Sequence, residues 1–322
     1  ELDFQPTVMA TWGVDHLTGS KGPVVEEWNS LKVLDDALAG RYDPYVLVVE
    51  GSVEDETEAK ANDGFYCTVG ETKDKIYYFE DYVKMLSEKA AATVAIGTCA
   101  AFGGIPSGNP NPTHARGVYD VVGKGPVGAL NLPVINVPGC PAAGDWQVKT
   151  LAYLLLTVKG ILPPPELDEY HRPKFLYEYT VHQRCPRALF FAAGVFAKEY
   201  GEPYCLLEGG CKGPISHCPI TETKWVEGVG ACTSDGSPCI ACADPAFPDG
   251  ETSPFLKSTL PKERVPPVEL PEITPEVPVK EIGIALAILA ALGLGAGAYQ
   301  KLKKKERPRE ESLVEESVEG GE

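Results

Sequence analysis

The stretch TVAIGTCA, Thr93 to Ala100, is an apolar run that ends in glycine and delivers a cysteine at once. A short run with no alternation of apolar and polar residues suits a strand buried on both faces, as in a parallel sheet. The pattern recurs in YVLVVEGS, Tyr45 to Ser52, and in PVINVPGC, Pro133 to Cys140, while TVMATWG, Thr7 to Gly13, reads as an earlier strand. Between these runs, YYFEDYVKMLSEKAAA, Tyr77 to Ala92, carries Phe79, Val83 and Leu86 at helical spacing. GDWQVKTLAYLLLTVKG, Gly144 to Gly160, is a second amphipathic helix, with Asp145 near the positive end of its dipole. The alternation predicts an α/β fold, a doubly wound parallel sheet, over residues 1–165. Ligands of such sheets bind beyond the carboxyl ends of the strands. Cys99 and Cys140 fall there, and so does Glu50, read as a solvated loop carboxylate. The loop Gly103 to Gly117 is too rich in Gly, Pro and Asn for regular structure and is expected to wrap whatever Cys99 holds.

With 43% hydrophobic residues over 322 positions, the chain is globular for most of its length. Its 46 acidic against 29 basic residues give a net charge of −17, which opposes extended contact with phosphate backbones and argues against a nucleic-acid partner. Few thermolabile side chains and 29 prolines hint at a thermophilic source. The chain opens on Glu1 rather than Met, which leaves room for a removed export segment.

After residue 165 the α/β rhythm stops. Residues 166–256 are short-looped and dense in cysteine, with too little apolar content to hold together by burial alone. Six prolines between Pro261 and Pro278 mark residues 257–280 as a semi-rigid linker. From Ile282 to Tyr299 there are 18 residues without a charge, which predicts a transmembrane helix over 281–300. Lys301, Lys303, Lys304, Lys305, Arg307 and Arg309 follow, so residues 301–322 form a basic then acidic cytoplasmic tail. The expected location is the cell membrane, with the body on the extracytoplasmic face.

Eight of the ten cysteines lie between Cys140 and Cys242, so sulfur chemistry is regional. In an exported body, disulfides are the ordinary reading of such density. Three features favour metal. Cys239 and Cys242 form a CxxC pair suited to gripping one centre, and His182 stands three residues before Cys185 as an imidazole donor. Cys211 and Cys239 follow Gly and Pro, where backbone N–H groups are open to sulfide. Zinc uses the same residue types, but the paired CxxC knuckles of zinc fingers are absent, and iron-sulfur clusters accept ligands from distant loops.

Five ordered motifs, GTCAAFGGIPSGNPNPTHARGV, NVPGCPAAGDW, VHQRCPR, GCKGPISHCP and PCIACADPAFPD, closely resemble the small subunit of membrane-anchored nickel-iron hydrogenases from about Tyr45 to Asp249. The resemblance implies a flavodoxin-like first domain and a chain of iron-sulfur clusters leading from a nickel-iron site in a separate large subunit. It implies His182, Cys185, Cys205 and Cys211 as ligands of a distal 4Fe-4S cluster, and Cys218, Cys239 and Cys242 as ligands of a medial one. Cys232, seven residues before Cys239, stands where relatives with a three-iron medial cluster lack a thiolate; as a fourth ligand it makes the cluster 4Fe-4S, and otherwise the cluster is 3Fe-4S. Surface-exposed His182 is expected to mark the electron exit. Asp145 and Arg187 read as a helix-start charge and a surface or cluster-adjacent cation.

One departure stands out. Cys99 and Cys140 match two of four proximal-cluster ligands, but the other two belong in a Cys-x-x-Cys turn after the first strand, and no cysteine precedes Cys67. Leu17 and Ser20 occupy the places where the thiolates are expected. Asp15, His16, Ser20 or a recruited Cys67 are the available substitutes; otherwise Cys67 packs as a small hydrophobe and the proximal cluster is missing. The function implied is electron transfer from H2 oxidation through the clusters to a membrane cytochrome b or other quinone-linked partner. The alternative is a non-catalytic or rewired homologue with an altered or missing proximal cluster, serving as a structural or electron-transfer subunit of a respiratory complex. A third reading is a disulfide-stapled extracellular binding module without metal.

Overall fold

The structure, a computed structural model, describes residues 13–14, 31–71, 75–225 and 228–250. All of these belong to the first of two compact units, Glu1–Val268 and Glu269–Glu322. The expected linker, membrane helix and tail lie outside the described residues, as do Asp15, His16, Leu17 and Ser20. Among the described residues no helix is long and apolar enough to cross a membrane.

The central sheet is built from the three stretches that read as buried strands. Strands β2 (Val46–Glu50), β5 (Ala92–Ile96) and β6 (Ile135–Val137) pair in parallel in the order β2-β5-β6. Every residue of β5 and β6 is buried, the polar Thr93 and Asn136 included, as suits strands covered on both faces. β2 departs from that expectation: it pairs only with β5 among the described strands, and Val48 is 42% exposed. Of the strand read at Thr7 to Gly13, residues 7–12 lie outside the described residues; Gly13–Val14 forms β1, which joins a separate sheet of order β1-β3-β4 with β3 (Thr68–Glu71) and β4 (Ile76–Tyr78). The reason lies in Thr68, whose hydroxyl donates to the carbonyls of Gly70 and Tyr77 and draws Tyr77 and Tyr78 out of the expected helix into a strand.

That helix, α3 (Phe79–Lys89), therefore starts two residues late, with Glu80 and Asp81 in its first turn and Lys89 in its last. It buries Tyr82, Val83 and Leu86 on one face. Shorter helices α1 (Leu31–Leu38), α2 (Thr57–Ala61), α4 (Gly97–Phe102) and α5 (Val118–Val122) complete the first half. Helix α6 (Gly144–Val158) follows β6 and buries Trp146, Thr150, Leu154 and Thr157, one residue per turn. The second half contributes only α7 (Lys174–Tyr177), α8 (Ala188–Ala192) and α9 (Ile220–Thr223), joined by turns.

The halves share a core. One apolar cluster runs from Val94, Ile96 and Val137 through Trp146 and Tyr177 to Cys211, Cys218 and Cys239. Trp146 is its hub at 1% exposure: its ring stacks on Trp225 at 6.1 Å, meets Tyr177 edge-on at 6.2 Å, and its indole N–H donates to Thr223 Oγ1 at 2.8 Å. Trp146→Ala is expected to cost about 3–5 kcal/mol, read as a lowered denaturation midpoint of the assembled complex.

Candidate functional site

None of the ten cysteines is joined in a disulfide. Nor do three His, Cys, Asp or Glu side chains close on one metal ion among the described residues. A tetrahedral zinc site would hold its sulfurs about 4 Å apart, given zinc-sulfur bonds of about 2.3 Å. The thiols instead face shared spaces.

The clearest of these is a cavity lined by His182, Cys185, Cys205 and Cys211, the four residues assigned to the distal cluster, together with Arg187, Gly213 and Thr233. The space they surround is partly open to solvent. Its walls are short turns that aim N–H groups at sulfur: Arg187 N–H toward Cys185 Sγ at 3.4 Å, and Gly213 and Cys239 N–H toward Cys211 Sγ at 3.5 and 3.3 Å. Such donors come after each cysteine or from another loop, rather than from the Gly and Pro before it. The cation expected near the cluster is there: Arg187 lines the cavity, and its Nη1 donates to the Glu202 and Tyr204 carbonyls at 2.6 and 2.8 Å.

His182 requires a correction. It is 6% exposed, not at the surface, because Phe191 packs edge-on against its ring at 4.6 Å and its own N–H donates to the Gly213 carbonyl at 3.0 Å. Burial pulls the imidazole pKa down, so the ring is neutral and able to donate a lone pair. Its Nε2 is buried with no hydrogen-bond partner. A polar atom left so is costly unless something in the cavity completes it, and iron is one such partner.

The medial set also comes together. Burial pushes the Cys218 thiol far up, and Cys242 and Cys232 add to the effect. Cys239 is shifted well up by burial, then by Cys211, Cys218 and Cys242. Cys232 is thus brought near the CxxC pair, where it acts on Cys242. Cys211 is pushed up to about 11, again by burial first. Thiols held this way stay protonated on their own, and a bound cation is what turns them into thiolates.

At the edge of the sheet, Gly97 turns β5 into α4 with φ +86, a conformation that favours glycine, and so presents Cys99. Gly104 brings the following loop against the sulfur: a Cβ there would sit 2.8 Å from Cys99 Sγ. Cys99 is half-buried and senses Cys140 and Glu50, while Cys140 is exposed. Cys67 is not brought to them. Its neighbours are Glu54 and Glu56, its thiol is pushed up to about 12 by burial and those carboxylates, and its N–H donates to Glu56 at 2.7 Å.

Three residues with a part in the site carry no motif of their own. Thr98 bonds both ways with Gly139, at 3.0 and 2.9 Å, and its hydroxyl donates to the Cys242 carbonyl, tying the sheet edge to the medial loop. Thr233 Oγ1 lies 3.4 Å from Cys185 Sγ. Trp225 packs against the core that holds Cys218 and Cys239. Only Thr98 carried a signal, its place between the strand-ending glycine and Cys99.

Residues 177–256 match the family of C-terminal domains of the NiFe/NiFeSe hydrogenase small subunit, and residues 2–154 match the NADH ubiquinone oxidoreductase 20 Kd subunit family. The chain is 34% identical to the periplasmic NiFeSe hydrogenase small subunit of Desulfomicrobium baculatum, over 79% of this chain and 75% of that one. It is 30% identical to the quinone-reactive Ni/Fe-hydrogenase small chain of Wolinella succinogenes, over 95% of this chain and 77% of that one. Among solved structures it resembles the actinobacterial-type NiFe-hydrogenase of Ralstonia eutropha H16, with a TM-score of 0.68 and 32% identity, over 92% of this chain and 80% of the other.

Proposed function

The chain belongs to the small subunits of NiFe/NiFeSe hydrogenases, and on that premise we propose that it carries electrons from H2 oxidation through a medial and a distal iron-sulfur cluster to a quinone-linked membrane partner. It is the electron-transfer subunit of a heteromeric hydrogenase, and its family implies a large-subunit partner. Bound clusters supply one-electron transfer without proton bookkeeping. The distal cluster is assigned to His182, Cys185, Cys205 and Cys211, and the medial one to Cys218, Cys232, Cys239 and Cys242. The observation that carries this reading is the distal cavity, where one unpartnered imidazole nitrogen and three unpaired thiols share a single space.

The residues act by holding and insulating. Turn N–H groups aimed at sulfur favour the thiolate forms, and the apolar shell of Phe191, Leu206 and Val181 limits water. The membrane assignment rests on the uncharged run of Ile282 to Tyr299 and its basic flank, with the body outside the cytoplasm and a cytochrome b or similar protein as partner. Likeness to a quinone-reactive relative over 95% of this chain supports it.

A second reading, a homologue with an altered or missing first cluster, is favoured by the sheet edge, where only Cys99 and Cys140 stand among the described cysteines. Iron and sulfide analysis of the purified complex, with EPR of the reduced form, decides between them. Two four-iron clusters give about eight irons per small subunit and three give about twelve. About twelve would place Asp15, His16, Ser20 or Cys67 among the proximal ligands. None at all would sink both readings.

A further inference from the structure

Arg172 is buried to 3% exposure in the turn Asp168 to Pro173, outside every cysteine motif. Asp168 builds this turn. One of its carboxylate oxygens accepts the Tyr170 and Arg172 N–H groups, each at 2.9 Å, and the other accepts Arg172 Nε at 2.7 Å. One edge of the guanidinium is thereby fixed. Its carbon lies 5.0 Å from the Tyr170 ring centre and 5.8 Å from that of Tyr177. Nη1, on the remaining edge, is buried and has no hydrogen-bond partner.

Tyr177 connects this cation to the medial thiols. It is fully enclosed and shares its core with Cys218 and Cys239. Its carbonyl oxygen lies 2.9 Å from Nδ1 of His217, the residue before Cys218, and its hydroxyl donates to the Pro138 carbonyl at 2.7 Å. A guanidinium does not lose its proton in a protein, so the charge is permanent. A buried permanent charge with an idle donor edge is expensive unless a negative group lies within reach. Asp168 answers for one edge only. A cluster held by four thiolates is negative, and it becomes more so on reduction.

We propose that Arg172 is a positioning residue which fixes a positive charge on the Tyr177 side of the medial site and raises the reduction potential of the cluster held by Cys218, Cys232, Cys239 and Cys242. The inference rests on the medial assignment made above. Reduction there adds one electron and moves no proton, since Arg172 stays charged throughout; a fixed cation stabilises the added charge and favours the reduced form.

The test is a redox titration of the purified complex, followed by the EPR signal of the medial cluster. In Arg172→Gln, the ratio of reduced to oxidised cluster at the wild-type midpoint is expected to fall about tenfold, which is about 59 mV for a one-electron couple. Arg172→Lys keeps the charge and should recover most of that loss. Asp168→Asn removes the counter-charge and should move the midpoint the other way, upward. A purely structural role would not shift the two single variants in opposite directions. An unchanged midpoint in Arg172→Gln with full iron content overturns the proposal. Should that variant lose the medial signal, Asp168→Asn decides: an upward shift supports the proposal, and an unmoved midpoint overturns it. A wild-type complex with no medial signal would instead sink the medial assignment itself.

Discussion

Replacing Cys185 with alanine in the assembled complex is expected to lower H2-dependent reduction of an external acceptor by on the order of 100-fold, while H2/D2 exchange at the large subunit's site continues. Cys185 borders the distal cavity with its sulfur 3.4 Å from both Thr233 Oγ1 and the Arg187 amide. Removing it leaves His182, Cys205 and Cys211 to hold the cluster, and one ligand fewer means both weaker retention and an exposed iron. The two assays separate wiring from chemistry, because isotope exchange needs no electrons to leave. A total iron content lower by about four per small subunit should accompany the loss of acceptor reduction. Full acceptor reduction with the iron intact would mean that Cys185 is not a ligand.

Removing iron from the whole complex should have a structural effect of similar size. Residues 180–250 contain two helices of four and five residues, and the local cluster around Cys205 and Leu207 is small. Such a segment lacks the burial to repay its own ordering entropy. Structural metal sites contribute about 10–16 kcal/mol where they have been measured for zinc, comparable with the whole net stability of a domain. Oxidative iron removal is therefore expected to abolish amide exchange protection across 180–250 and to loosen α6, whose Trp146 packs on the same core as Cys211 and Cys218. The β2-β5 half, with its separate apolar cluster of Val49, Val83, Ala95 and Val134, should stay protected. Equal protection in both halves after iron loss would show that the thiol-bearing loops hold themselves.

What could be read from the chain was what is local. The buried strands β5 and β6 announce themselves because all but Thr93 and Asn136 are apolar, and α6 because Trp146, Thr150 and Leu154 recur on one face. The CxxC spacing and the nearby imidazole pointed to metal, and the sorting of thiols into clusters rests on likeness to relatives. The failures are non-local. His182 looked like a surface group until Phe191 and Gly213, from two other turns, closed over it. Tyr77 and Tyr78 fit a helix by their own pattern, and only the hydroxyl of Thr68 shows why they extend. Thr98 reaches across 144 residues to Cys242, a partnership no window of sequence contains. Arg172 sits in an ordinary-looking turn, and its significance depends on Tyr177 facing the thiols from the far side.

The loops bearing Cys211 and Cys239 are stitched to each other in both directions, Cys239 N–H to Cys211 sulfur at 3.3 Å and Lys212 N–H to the Cys239 carbonyl at 2.8 Å. Inheritance of this chain is constrained accordingly. An inserted residue between Cys211 and Lys212 would part both contacts at once, so lineages are expected to hold that junction at a fixed length. Descendants of one ancestor should then preserve the separation of these loops while the rest of the segment drifts.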